Sequence, residues 1–407
     1  MNCRHCDAPL TLTFVDLGTA PLSNAYLTLS ELRRPERWCP LRILVCSRCW
    51  LVQLEEYTAA EEIFTDDYAY FSSFSKSWVN HAANYVAEVV DRFRLNRTSL
   101  VVELAANDGY LLQHVVARGI PCLGVEPTAS TAASARAKGI EIVQDFFGVR
   151  LARTMVAQSI QADLIVANNV LAHVPDINDF VTGVAIALRS NGVATFEFPH
   201  LMNLVTDNQF DTIYHEHFSY LSFSVVTHIF ETHGLSVFDV DELPTHGGSL
   251  RVYAQRKNGS KTTAVSVNAL LQREDRAGLA TATYYADFQR RTDRAKNDLL
   301  KFLLDAVHEG KKVAAYGAAA KGSTLINYAG VRSDLIPYVV DRSSAKVGKF
   351  LPGSRIPIVD VKRIYDDHPD YIIVLPWNLR DEITEDLRCV REWGCQFVTA
   401  IPHLSIG

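Results

Sequence analysis

Residues 214–220, Tyr-His-Glu-His-Phe-Ser-Tyr, place two imidazoles and a carboxylate between aromatic rings. Two chemistries use such a density of proton-handling groups. A zinc protease needs H-E-x-x-H, with histidines four residues apart on one helix face and the glutamate as base. Here His215 and His217 are two apart with Glu216 between them, and such residues do not share a helix face. Metal catalysis therefore fails on geometry, and general base catalysis remains. A histidine backed by a carboxylate is poised near neutral pH, and a nearby tyrosine can donate to an oxyanion. Proton loss beside a carbonyl creates an enolate, a carbon nucleophile that can attack a methyl sulfonium. His217 is expected to be the base and Glu216 its supporting carboxylate, with His215 structural. His173, ahead in the chain, is expected to approach from the other side.

The second chemical signature is a pair of C-x-x-C knuckles. Cys3 and Cys6 form one and Cys46 and Cys49 the other, among 8 cysteines in all. In a reducing compartment disulfides are disfavoured, and four thiolates at this spacing fit tetrahedral zinc. Four thiolates leave no open position for substrate, so the zinc is expected to be structural; thiol redox chemistry is the weaker alternative. Cys39 reads as a small buried apolar residue.

These groups must be positioned by a doubly wound sheet. In "TSLVVELAANDGYLL" an apolar strand, 100–104, runs into a turn and then a helix, and ligands bind beyond the carboxyl end of such a strand. A G-x-G-x-x-G turn would bring a pyrophosphate against the backbone. Here only Gly109 remains of it, after Ala105, Asn107 and Asp108, while Glu103 and Asp108 add negative charge. The loop thus suits a cationic ligand, and S-adenosylmethionine carries a sulfonium and an ammonium group. The second strand, in "IPCLGVEPTAS", ends in Glu126, which can accept both ribose hydroxyls of an adenosine. Asp145 and Phe146 follow as a carboxyl and a ring for adenine, and the fourth strand ends in Asn168 and Asn169. A fifth strand, "GVATFEFPH", precedes the insertion that carries the histidines, which can cover the cofactor's methyl group. "GLSVFDVDEL" and "GGSLRVYAQR" then alternate as a hairpin joined by a short turn. A parallel sheet finished by an antiparallel hairpin is the class I methyltransferase layout.

Ahead of the first strand, Trp78, Ala82, Tyr85, Val86 and Val89 recur at helical spacing. The aromatics before that helix, Tyr68, Tyr70 and Phe71, stand where a lid over the site would be. Residues 262–310 read as one long polar-faced helical stretch bridging to a last unit. There "KKVAAYGAAAKGSTLINYAG" repeats the strand–turn–helix pattern, with Lys321 at a helix N-terminus able to hold an anion. Lys346 and Lys349 follow the next strand, and Trp377 offers a face for a nucleoside. Solvated surface lysines and a purely structural half are the alternatives.

Nearly the whole chain resembles the sugar C-methyltransferases that act on nucleotide-linked deoxysugars in antibiotic biosynthesis. The resemblance is carried by "CRHC…CSRC", "ELAANDGYL", "EFPHLMNLVTDNQFDTIYHEHFSYLS", "HGGSLRVY" and "YGAAAKGSTLIN…PWN". It implies an α/β protein: a class I (Rossmann-like) core at residues 66–260, a small zinc-binding domain at 1–65, and a C-terminal Rossmann-like domain at 261–407 that helps hold the nucleotide sugar. It further implies S-adenosylmethionine as cofactor and methylation at carbon 3 of a dTDP-4-keto-deoxysugar, bearing an amino or a hydroxyl group there. The family's base falls on His217, and its tyrosine, glutamate and second histidine on Tyr214, Glu216 and His173. Tyr68, Phe71, Asn169, His173, Tyr214, His217, Lys321, Lys349 and Trp377 are the expected substrate contacts. Methylation at carbon 5 or beside another ketone, nicotinamide-dependent redox chemistry, and a zinc-containing scaffold remain open at this level.

Bulk properties bound these readings. The 407 residues exceed one typical domain, and 48% hydrophobic with 21% charged residues is ordinary for a globular protein. A net charge of -6 offers no basic face for nucleic acid. No apolar run is long enough to span a membrane, and residues 1–10 have no signal-peptide character, so a cytoplasmic protein without membrane contact is expected.

Overall fold

The structure, a computed structural model, describes residues 1–57, 60–63 and 71–407. Tyr68 and Tyr70, expected in a lid, lie outside the described residues. Three sheets organise the chain. In the first, β1 (Leu12–Ala20), β2 (Cys39–Val45) and β3 (Val52–Leu54) form an antiparallel meander, with Cys3 and Cys6 before β1 and Cys46 and Cys49 after β2.

The central sheet uses β4 (Val101–Leu104), β5 (Cys122–Val125), β6 (Glu141–Val143), β7 (Ala162–Asn168) and β8 (Leu188–Pro199). A two-residue strand, β9 (Ser219–Tyr220), leaves this region and pairs with β3, so the histidine insertion becomes the fourth strand of the zinc-side sheet. The hairpin β10 (Leu235–Leu243) and β11 (Ser249–Arg256) closes the central sheet, in the order β10-β11-β8-β7-β4-β5-β6. Strands β4 to β8 are parallel, and β11 runs antiparallel to both neighbours. This is the class I methyltransferase order. Strands β4 and β7 are buried along their length, as a sheet covered on both faces requires.

Helix Lys76–Phe93 covers one face. Ser75 caps it by accepting from the Trp78 amide, and Ala82, Tyr85, Val86 and Val89 form its buried stripe. Burying such side chains contributes about 1.5–3 kcal/mol each for the larger ones. The expected long bridge is broken: helices Val265–Ala277, Ala282–Tyr285 and Phe288–His308 replace it. Gly278 ends the first in the left-handed conformation that a C-terminal cap needs. The last sheet, from β12 (Val313–Tyr316), β13 (Val339–Asp341), β14 (Ile358–Asp360), β15 (Tyr371–Val374), β16 (Gln396–Thr399) and β17 (Ser405–Ile406), has the order β14-β13-β12-β15-β16-β17. It is parallel except for β17. Among the described residues, no helix is long and apolar enough to cross a membrane.

Candidate active site

The four knuckle cysteines converge, their sulfurs all lying within 4.8 Å of one another. Cys3 and Cys49 approach to 3.5 Å, as do Cys6 and Cys46. Thiolates bound tetrahedrally at roughly 2.3 Å sit slightly under 4 Å apart, so the set fits a zinc ion. The Arg48 and Cys49 amides donate to Cys46 Sγ, and Gln53 Nε2 to Cys3 Sγ at 3.3 Å, which moderates the thiolate charge. These residues hold a structural zinc. Gln53 also ties the centre to β3: its Oε1 accepts from the Arg4 amide, and its backbone pairs with Ser219 of β9.

A cavity of about 510 Å³ lies at the carboxyl ends of the central strands, within the range that small ligands occupy. At one end it is lined by Ala105, Asn107, Glu126, Asp145, Phe146 and Asn168. The Asn168 amide has no hydrogen-bond partner among the described residues for either its oxygen or its nitrogen, although both are buried. A buried amide of this kind calls for a donor and an acceptor, and adenosine edges supply both. The residues here fit S-adenosylmethionine. Glu126 Oε1 accepts from the amide and hydroxyl of Thr128 and from the Thr131 hydroxyl, while Oε2 accepts from the Asn107 amide. A ribose must therefore share this carboxylate with its own loop. Asp145 is paired with Arg150 through both oxygens.

Glu103, Asp108 and Gly109 lie behind this wall rather than on it. Burial, reinforced by Glu126 and Asp108, pushes the Glu103 carboxyl well above the usual carboxylate range, against the negative charge expected of it. Asp108 is bound by Ser73 and Lys138. Gly109 has a φ of +75°, and a Cβ there would stand 2.4 Å from Ile140 Cδ1. Gly109→Ala is accordingly expected to destabilise the fold by about 1–3 kcal/mol. Thermal unfolding without ligand checks this, and an unchanged midpoint would refute it.

The histidine insertion forms the cavity's middle. His217 lies 4.6 Å from the His173 ring and 4.1 Å from that of Tyr214, between ring centroids. Its Nδ1 faces the Thr212 carbonyl at 2.8 Å. A carbonyl only accepts, so Nδ1 carries the proton and Nε2 carries the lone pair. The support expected from Glu216 is thus supplied by Thr212, while Glu216 Oε1 accepts from Asn24 Nδ2 of the zinc-side domain at 2.6 Å. His215 is buried with Nε2 on the Pro40 carbonyl, matching its expected structural place. Burial, together with His173, lowers His217 well below the ordinary imidazole value, and burial brings His173 to about 4. Both rings are neutral at neutral pH.

Lys321 closes the far end, its Nζ donating to Asn378 Oδ1 and standing 4.7 Å over the Trp377 ring. Three expected contacts lie elsewhere. Lys346, donating to the Ala318 carbonyl, lines the cavity, whereas the Lys349 carbonyl pairs with the Ile358 amide outside it. Trp377 is also outside, its Nε1 donating to the buried Asp211 at 2.7 Å while Lys321 stands over one face of its ring. Phe71 packs on Phe74 instead of on the cavity. Asn169 lines it, at the end of β7. Asn24, His246 and Asn378 also line the cavity without having been expected as contacts; only the loop topology brings them in.

Three family models match the chain in succession. They describe a zinc binding domain over residues 3–64, a methyltransferase domain over 78–240 and a C-methyltransferase C-terminal domain over 244–402. C-methyltransferase NovU of Streptomyces niveus is 34% identical over 402 residues, covering 99% of this chain and 96% of that protein. Among solved structures, an S-adenosylmethionine-dependent methyltransferase from Clostridium acetobutylicum is 12% identical with a TM-score of 0.37, covering 45% of this chain and 92% of its own. Magnesium protoporphyrin IX methyltransferase from Synechocystis is 15% identical with a TM-score of 0.34, covering 44% and 79%.

Proposed function

The chain belongs to the C-methyltransferase family, as an S-adenosylmethionine-dependent enzyme that methylates carbon, and from that premise we propose that its substrate is a dTDP-linked 4-keto-deoxysugar methylated at carbon 3. Family membership removes the nicotinamide and scaffold readings. The observation that carries the proposal is the bond from His217 Nδ1 to the Thr212 carbonyl, which leaves a basic Nε2 in a cavity between an adenosine-type wall and two lysines. When bound, S-adenosylmethionine supplies the electrophilic methyl group on its sulfonium.

His217 Nε2 removes the proton on carbon 3, acidified by the adjacent ketone. Tyr214 donates to the enolate oxygen, where charge develops and fixed donors count most, with His173 beside it donating its own N–H to the Glu216 carbonyl. Asn168 and Glu126 hold the cofactor's adenosine. Lys321 and Lys346 attract the diphosphate, and that anion would offset the repulsion Lys321 imposes on protonated His217. The division into 1–65, 66–260 and 261–407 follows from these roles, the last unit aiding nucleotide-sugar binding. The setting is a cytoplasmic deoxysugar pathway for an antibiotic or other natural product.

The direct test is incubation with S-adenosylmethionine and a dTDP-4-keto-2,6-dideoxysugar in heavy water, read by mass spectrometry. One added methyl, placed on carbon 3 by fragmentation, is the expected result. A methyl on carbon 5 or elsewhere would relocate the chemistry within the same family. No methyl and no deuterium across several such sugars would reject the substrate class.

The pH dependence has a defined sign. Because the His217 value lies below 6.5, the base form persists as pH falls from 8 past 6.5. The acid limb of kcat/KM is therefore expected below the ordinary histidine range. A limb centred at or above 6.5 would mean that another group is the base.

A further inference from the structure

The turn between β10 and β11 holds a third histidine at the cavity. His246 lines it half-buried, with φ 54° and ψ 23°, in the left-handed region. That conformation is uncommon for a residue with a side chain and costs on the order of 1 kcal/mol. The surroundings enforce it. Gly247 and Gly248 follow with φ of +88° and +107°, and added Cβ atoms would stand 2.4 Å from Trp377 and 2.1 Å from Asn203. Gln209 Nε2 donates to the Gly247 carbonyl, the His200 amide to the Gly248 carbonyl, and the Thr245 hydroxyl to Glu197. Thr245, Gly247 and Gly248 are thus each engaged by the protein.

The His246 ring is not. It packs against Trp78 at 5.0 Å between centroids, and no hydrogen bond joins its imidazole to another described residue. Burial and Lys321 bring it to about 4, so it is neutral and offers one donor and one acceptor. Lys321 acts on both His246 and His217, while Glu197 and His81 also bear on His246 and His173 on His217. A strained turn that presents an unspent imidazole to the cavity that holds the base suits a ligand with polar ring substituents.

We propose that His246 is a substrate-contacting residue that reads a hydroxyl or amino substituent of the sugar ring and so sets which sugar is accepted. This rests on the reading of the substrate as a nucleotide-linked ketosugar. The test compares wild type with His246→Asn and His246→Gly, both of which tolerate the left-handed backbone. For each, KM and equilibrium binding are measured with the dTDP-4-keto-2,6-dideoxysugar, alongside S-adenosylmethionine affinity and thermal midpoint. The expected result is a KM and sugar Kd raised about tenfold or more, cofactor affinity within about twofold, and a midpoint not lowered. Unchanged sugar binding overturns the proposal, as does a lowered midpoint with cofactor and sugar affinity lost in parallel, the pattern of a purely structural residue. If wild type neither binds nor methylates the sugar, the substrate reading fails and the proposal falls with it. If wild type does both and the variants match it, only the His246 role fails.

Discussion

His217→Asn is expected to lower turnover by about a thousandfold while S-adenosylmethionine affinity stays within about twofold. A positioned general base contributes roughly 10²–10⁴ in rate, about 3–5 kcal/mol of barrier. Asparagine is the informative substitute because its side-chain amide reaches where Nδ1 sits, so donation to the Thr212 carbonyl survives while Nε2 is deleted. The cofactor wall, from Asn107 to Asn168, is built on other strands and should not register the change. Isothermal titration with S-adenosylmethionine and deuterium exchange at carbon 3 separate the outcomes. Loss of both exchange and methylation with binding intact identifies the base. If cofactor binding collapses in both His217→Asn and His217→Ala, the residue is structural. Exchange that persists in these variants would assign the proton transfer to another group, with His173 first in line at 4.6 Å.

Removal of zinc should have the second large effect, and should act at a distance. Zinc bound by four thiolates supplies about 10 kcal/mol or more of apparent binding energy in small modules, which is folding energy for the segment that holds it. The zinc-side sheet borrows β9 from the histidine insertion, with Val52 opposite Tyr220 and Gln53 opposite Ser219. Asn24 meets Glu216, and Tyr26 donates to the Ala318 carbonyl at 2.6 Å. Loosening this sheet therefore loosens the support of residues 214–220. Chelation, or Cys46→Ser at a fully buried ligand, is expected to remove activity in step with metal loss. Amide exchange should rise in residues 1–54 and 213–222 but not in β4 and β5, which pack in the central sheet. A zinc-free protein that retains full methyltransfer would refute the coupling.

Local signals carry far in this chain because several of its elements are locally encoded. Two C-x-x-C knuckles need only a short turn each to aim paired sulfurs, so the zinc centre is legible before any fold is known. The alternation of apolar strands, small-residue turns and helices in 98–200, followed by the hairpin with "PTHG" at its bend, gives the central sheet in order. The bridge to the last domain shows the limit of this reading. Its composition favours helix throughout, yet Gly278 ends the first helix, a choice made by one φ angle.

Which groups meet in the cavity is a different matter. The group that fixes His217 is the Thr212 carbonyl, and every residue has a carbonyl, so side-chain chemistry pointed to Glu216 instead. Lys346 and Lys349 are equivalent as residue types, and only the turn after β13 sends one inward to Ala318. Glu103 reads as an ordinary carboxylate in sequence, yet in place burial pushes its carboxyl well above the usual range. The sequence by itself determined the residue types, their local turns and the strand order, since these depend on near neighbours along the chain. Only the tertiary structure decided the proton positions, the charge states and the arrival of Asn24, His246 and Lys346 at one cavity, because those depend on burial and on contacts between segments hundreds of residues apart.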